Sequence, residues 1–170
     1  ALVTLHQIAI GSTKEEAIMH VTAEDDSSSL LSITALQQSL SAGTREVATA
    51  TVQVEMLSDR IKDDDLKSPA LLKIDVQGYE LAVLHGCVSL LPRFSHVYIE
   101  CSFVELYAEQ ALAAEVIDHL NDHGFDLRGV YNAEYDPQGC PRPADLLFAA
   151  RNRRPHAAIY GAVLDSLPQA

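Results

Sequence analysis

Polar side chains alternate along the most apolar segment of the chain. Residues 70–76 read ALLKIDV, and Gln77 and Gly78 follow them. Because alternate residues of a strand share one face, we expect Lys73, Asp75 and Gln77 to project from one side of a buried strand. A buried, unpaired carboxylate is costly, so Lys73 is the expected partner of Asp75.

Three more polar residues stand at the ends of other predicted strands. Glu100 and Ser102 come at the end of the segment VYIEC at 97–101, and Asp145 comes just before the last predicted strand. In α/β sheets, ligands bind beyond the carboxyl ends of parallel strands. The last strand is predicted to run the opposite way, so its start lies at the same edge. We therefore expect Asp75, Glu100 and Asp145 to be neighbours.

Two carboxylates at one rim suit several kinds of chemistry. They can act as a general base, hold a metal ion or hydrogen-bond the hydroxyl groups of a substrate. A stabilising ionic cluster of Asp75, Glu100 and Lys73 is the structural alternative. Glu80 is a further candidate, although a carboxylate in the first turn of a helix also favours the helix dipole. Asp145 has the alternative role of capping its hairpin.

Metal chemistry has little other support in the sequence. His119 and His123 are four residues apart on a predicted helix, which is the spacing of paired metal ligands. The acidic residues around them are more typical of an exposed polar face. We predict no resident metal ion. An unrelated metal-dependent α/β enzyme that uses Asp75 and Glu100 stays an alternative, which inhibition by a chelator would support.

The order of the predicted elements indicates an α/β fold. From residue 70 the patterns predict strand 70–76, helix 79–91, strand 97–101, helix 109–123, and strands 125–131 and 146–150. Alternation of this kind is typical of a parallel sheet covered by helices. The last two strands are joined by a loop too short for a helical crossover, so they should form an antiparallel hairpin. Upstream, strands are predicted at 2–10, 17–21 and 51–57, and then a short helix capped by Ser58 or Asp59.

Composition excludes several classes of partner. The formal net charge is −12, and only Arg151, Arg153 and Arg154 cluster as a basic segment, so we expect neither nucleic-acid nor membrane binding. Three cysteines without a CxxC pair indicate free thiols and a reducing, cytoplasmic location. No apolar run approaches the roughly 20 residues that span a bilayer.

The segment around Asp75 resembles a family signature. LLKIDVQGYELAVLHG at 71–86 is similar to that of FkbM-type methyltransferases, which usually reads Leu-Lys-Ile-Asp-Val-Glu-Gly, then a Glu, then Val-Leu and a Gly. The resemblance continues through IECSFVELY at 99–107, HGF at 123–125 and DLLF at 145–148. Upstream it includes IAIGS at 8–12, DDSSSL at 25–30 and VQVEML at 52–57.

The resemblance implies a fold and an activity. The fold would be a Rossmann-like class I methyltransferase sheet, mostly parallel with a C-terminal antiparallel hairpin, over residues 1–150, with a tail at 151–170. The activity would be transfer of a methyl group from S-adenosylmethionine to an oxygen of a sugar, glycolipid or secondary metabolite.

The resemblance also implies roles for individual residues. Asp75 would lie close to the donor's methyl group and Glu100 at the end of the next strand, both as catalytic candidates. Ala9 and Ile10 would lie near the adenine of the cofactor. The expected rim of the substrate site consists of Lys73, Gln77, Glu80, Ser102 and Asp145.

The sequence departs from the family pattern in three ways. Gln77 stands where the family often has Glu, and Ser58 where Asp is common. Before residue 70 there are only two glycines, Gly11 and Gly43, so we expect the glycine-rich cofactor loop and the N-terminal strands to be missing. We therefore expect the chain alone to be inactive, with possible self-association through an exposed sheet edge. A truncated, non-catalytic binding or association module is the alternative function.

Overall fold

The computed structural model describes residues 3–151, which form two β-sheets and four α-helices. The strands are β1 (Ala9–Ile10), β2 (Glu15–Thr22), β3 (Glu46–Glu55), β4 (Leu71–Ile74), β5 (His96–Ser102), β6 (Phe125–Tyr131) and β7 (Pro143–Ala150). The helices are α1 (Ala35–Leu40), α2 (Leu57–Arg60), α3 (Glu80–His85) and α4 (Ala113–Asp122). The predicted tail lies outside the described residues, apart from Arg151. Within residues 3–151, no helix has the length and apolar character that a membrane span requires.

The larger sheet has four strands in the order β4-β5-β7-β6. β4 pairs with β5 in parallel, whereas β7 is antiparallel to both β5 and β6. The predicted C-terminal hairpin is therefore confirmed. The expectation of a mostly parallel sheet is not, because β7 returns through a short loop and lies between β5 and β6. The α/β character of the fold is confirmed.

The smaller sheet has the order β1-β3-β2. β2 and β3 form a long antiparallel pair, and β1 adds two residues in parallel to the end of β3. The predicted strand at 2–10 is wrong for residues 3–8, where Val3 and Leu5 are 86% and 90% exposed. Within the part of the chain that the structure describes, no neighbouring strand buries these residues, so their apolar pattern does not become a sheet.

The core lies on one face of the larger sheet, under α3 and α4. Alternate residues of β5 and β7, among them Val97, Ile99, Leu146 and Phe148, are at most 1% exposed. The opposite face carries the polar residues of the same strands. This alternation puts Lys73 and Glu100 on the more open side of the sheet, away from the helices.

Both predicted helices of the larger sheet are shorter in the structure. α3 ends at His85, and at Gly86 the chain passes so close to the segment after β1 that a Cβ would overlap the carbonyl oxygen of Gly11. α4 ends at Asp122, and Gly124 after it has a left-handed backbone (φ 86°), as predicted for the residue after a helix. Ser58 lies inside α2 instead of capping it, and its hydroxyl donates to the carbonyl oxygen of Gly86.

Within the described residues, β4 has a neighbouring strand on one side only. Its other edge faces a groove whose far wall includes β1. This open edge is the feature that the prediction of self-association requires. Association itself stays a prediction.

We predict that Gly86→Ala destabilises the chain by about 2 kcal/mol or more, because the added methyl group has no space against the Gly11 backbone. Urea unfolding followed by circular dichroism measures the change. Ser89→Ala, at an exposed position three residues later, is the control and should change stability by less than about 0.5 kcal/mol. Equal stabilities of the two variants would contradict the close approach.

Candidate active site

A tight turn after β4 carries the centre of the site. Gln77 and Gly78 both have left-handed backbones, with φ of 53° and 100°. Such a conformation is unfavourable for Gln and costs of order 1 kcal/mol, so the surrounding contacts must hold it. A Cβ on Gly78 would lie 3.0 Å from the Cβ of Tyr107, so glycine lets this side chain pack directly on the turn.

The side chain of Gln77 joins the two predicted carboxylates. Its Nε2 donates to Oδ1 of Asp75 at 2.9 Å and to Oε2 of Glu100 at 3.1 Å. Its Oε1 accepts from the hydroxyl of Tyr107 at 2.8 Å. Asp75 and Glu100 are therefore neighbours at one rim, as predicted. Gln77, predicted only as a rim residue, lies at the centre of the group.

Asp75 is held in its ionised form by its neighbours. Lys73 Nζ lies 2.8 Å from Oδ2, as the shared strand face predicted. Burial alone raises the pKa of Asp75, but the hydrogen bonds from Lys73 and Gln77 and the charge of Lys73 outweigh it. The net effect lowers the pKa of the Asp75 carboxyl below its ordinary value.

Glu100 has the opposite electrostatic surroundings. Burial raises its pKa to about 7, and the charges of Asp75, Glu80 and Asp145 act in the same direction. Asp145 is the cross-strand partner of Glu100, at the edge where it was predicted, and its Oδ2 accepts from Asn132 at 2.7 Å. Glu100 therefore changes charge near neutral pH, while Asp75 stays ionised.

Glu80 begins α3 as predicted, but it is far more buried than its helical position suggests. Its residue is 1% exposed, and Oε1 accepts from the backbone N–H of Gly78 at 2.9 Å. Burial raises the pKa of this carboxyl, and the backbone N–H groups of Gly78, Glu80 and Val76 oppose the rise only in part. Oε2 has no hydrogen-bond partner among the described residues.

Ser102 and Tyr107 complete the site beyond β5. The Ser102 hydroxyl donates to the carbonyl oxygen of Val104 at 2.6 Å, so it fixes the loop that follows β5. Tyr107 is 2% exposed, and burial raises its pKa to about 12. Its bond to Gln77 joins residues thirty positions apart, which spacing along the chain does not predict. Gly78, directly after the strand, is the local sequence signal of the turn.

Two cavities meet at Asp75. The first has a volume of about 420 Å³ and a polar wall that includes Gln77, Glu80, Glu100 and Ser102. The second has a volume of about 500 Å³ and is a mainly apolar groove between the smaller sheet and β4. Asp75 lines both of them.

The second cavity contains both residues that the sequence placed near a cofactor. Ala9 and Ile10 line it, together with Ile8, Leu30 and Tyr79. The groove combines apolar surface with the ion pair of Lys73 and Asp75, which both line it, so it suits a mainly apolar molecule that carries charged or polar groups at one end.

Comparison with protein families identifies the chain. The model of the Methyltransferase FkbM domain matches residues 2–127, which include Asp75, Glu100 and the whole wall of the second cavity. The chain belongs to the FkbM methyltransferase family. No curated protein and no solved structure matched in the corresponding searches.

Membership in the FkbM family indicates methyl transfer as the activity. The geometry also explains the Gln that stands where this family often has Glu. A third carboxylate could not donate to Asp75 and Glu100, whereas the amide of Gln77 donates to both. In this FkbM protein, Gln at position 77 therefore carries no negative charge and supplies a hydrogen-bond donor between Asp75 and Glu100.

The histidine pair and the cysteines line neither of the two cavities. The rings of His119 and His123 stack at 4.3 Å, and Nδ1 of His123 bonds the carbonyl oxygen of His119. Among residues 3–151, no group of three or more metal-binding side chains has a geometry that could hold an ion. The three cysteines are free; Cys87 and Cys101 are buried and Cys140 is exposed.

We predict that Glu100→Gln makes the FkbM protein less sensitive to alkaline pH. The pKa of Glu100 is raised in the folded state from 4.5 to about 7. Its contribution to stability is therefore full below about pH 4.5 and is lost as the pH rises through 7. At pH 8 the variant should be more stable than the wild type by about 1–2 kcal/mol, reduced from the full linkage value because Glu100 is partly exposed.

Urea unfolding at pH 5 and pH 8 measures this difference. Asp118→Asn, on the exposed face of α4, is the control and should leave the pH dependence unchanged. A parallel loss of stability in the wild type and in Glu100→Gln would show that Glu100 has an ordinary pKa.

Proposed function

We propose that this chain binds S-adenosylmethionine and supports transfer of its methyl group to a hydroxyl oxygen. The observation that carries the proposal is the position of Asp75, which lines both the apolar groove and the polar cavity. A donor in the groove and an acceptor in the cavity would meet at this residue. Family membership supports methyl transfer as the reaction.

The groove fits the donor through its apolar surface and through the carboxylate of Asp75, which lines it together with its ion-pair partner Lys73. Ile8, Ile10 and Leu30 offer surface for a purine ring, and Ala9 and Ile10, which are predicted to lie near adenine, both line the groove. The lowered pKa of Asp75 keeps its carboxylate ionised, which favours a nearby positive sulfur. When bound, S-adenosylmethionine supplies a methyl carbon on a positively charged sulfur.

The cavity fits an acceptor that must lose a proton. Glu100, with a pKa of about 7, is partly ionised at neutral pH and can accept a proton there. The carboxylate of Glu100 would take the proton of the acceptor hydroxyl when the oxygen of that hydroxyl receives the methyl group that S-adenosylmethionine would supply. Gln77 holds Glu100 in place, and Asp75 stays ionised because Lys73 is bonded to it.

We predict that Asp75→Asn weakens binding of S-adenosylmethionine about tenfold, because the variant loses a charge facing the sulfonium. Binding of S-adenosylhomocysteine, whose sulfur is neutral, should change much less. Isothermal titration calorimetry with both compounds measures the two effects. Asp59→Asn, at an exposed position in α2, is the matched control and should leave both affinities unchanged.

Two results would count against the proposal. Equal weakening for the charged and the neutral compound would show that Asp75 does not face the sulfur. An absence of S-adenosylmethionine binding by the wild-type chain would favour the alternative of a non-catalytic binding module.

A further inference from the structure

The polar cavity beside Glu100 is strongly acidic. Of the described residues that line it, Arg142 is the one with a positive charge. Five others carry carboxyl groups: Asp26, Asp75, Glu80, Glu100 and Glu134. Lys73 offsets the charge of Asp75, but it contacts Asp75 from the strand and is not part of the cavity wall. The wall therefore has an excess of negative charge that the described residues do not neutralise.

A buried oxygen of the cavity wall lacks a partner. Glu80 is 1% exposed, and its Oε2 has no hydrogen bond within the described part of the chain. A carboxyl oxygen in this position costs free energy, because it has lost contact with water and accepts no hydrogen bond from that part of the chain. Glu80 lines the cavity, so a hydrogen-bond donor that reaches Oε2 from there would remove this cost.

The charge of the wall decides which donor fits best. The negative charges of Asp75, Glu80 and Asp145 all disfavour the ionised form of Glu100, so these carboxylates and Glu100 repel one another. A neutral hydroxyl would supply a hydrogen bond but leave the repulsion in place. An ammonium group supplies the hydrogen bond and the opposite charge together. An anion would add to the repulsion.

We propose that the acidic cavity binds the protonated amine of a hydroxyl-rich ring, an amino sugar or an aminocyclitol. The claim that this ring is the methyl acceptor rests on the proposed function above; the binding of the amine does not. A volume of about 420 Å³ is in the range of small-molecule sites, and Ser102 and Gln110 add polar groups to the wall for ring hydroxyls.

Paired ligands that differ in charge test the proposal. The chain is titrated by calorimetry at pH 7.5 with glucosamine and glucose, and with 2-deoxystreptamine and myo-inositol. We expect each amine to bind at least about tenfold more tightly than its neutral counterpart. N-acetylglucosamine, which keeps the nitrogen but loses the charge, should bind like glucose. Glucose 6-phosphate should not bind more tightly than glucose.

A substitution of Glu80 distinguishes direct binding of the amine by this carboxyl group from attraction by the net charge of the chain. Glu80→Gln keeps the shape of the side chain, and it should weaken glucosamine binding about tenfold while leaving glucose binding unchanged. Asp118→Asn removes one negative charge outside the cavity wall and should change neither affinity. Circular dichroism establishes that both variants are folded. If Glu80→Gln does not fold, Glu134→Gln at the exposed edge of the cavity replaces it, with a smaller loss expected.

Every other outcome contradicts either the amine site or the proposed methyl transfer. Equal binding of charged and neutral rings, stronger binding of the phosphate, or no binding of any ring overturns the amine site. Equal effects of Glu80→Gln and Asp118→Asn show attraction by net charge and overturn it as well. Amine binding with the expected variant pattern, but without S-adenosylmethionine binding, leaves the site intact and contradicts the proposed methyl transfer.

Discussion

The amide of Gln77 between the carboxyl groups of Asp75 and Glu100 is the contact on which the candidate active site depends. One nitrogen donates to both groups, and the amide oxygen accepts from Tyr107. An amide has a donor end and an acceptor end, so the Tyr107 hydroxyl also decides which end faces the acids. Without a donor at this point, the two carboxyl groups would repel each other whenever both are ionised.

The two carboxyl groups that Gln77 joins differ in pKa, which is lowered for Asp75 and raised for Glu100. Lys73 bonds to Asp75 alone, on the more exposed side, whereas Glu100 lies deeper and closer to Glu80 and Asp145. One acid is therefore a fixed charge and the other a group that can exchange a proton near neutral pH. A site that stabilises a cation on one side and takes a proton on the other needs this division.

Much of this arrangement follows from the spacing of residues in the sequence. The two-residue period of a strand put Lys73, Asp75 and Gln77 on one face, and the shared edge of neighbouring strands brought Glu100 and Asp145 to them. The burial of Glu80 and the bond from Tyr107 were not predictable in this way, because they depend on how distant loops fold over the turn. The mostly parallel sheet was not confirmed because the alternation of elements does not reveal that β7 lies between β5 and β6.

The Tyr107 hydroxyl lies within hydrogen-bonding distance of both the loop that follows β2 and the turn that follows β4. It has a single hydrogen, but two acceptors lie within reach: Oε1 of Gln77 at 2.8 Å and the backbone oxygen of Ser27 at 3.1 Å. Only one of them can hold that hydrogen at a time. Ser27 belongs to the loop that follows β2, so rotation about one C–O bond links the placement of this loop to the direction in which the amide of Gln77 points.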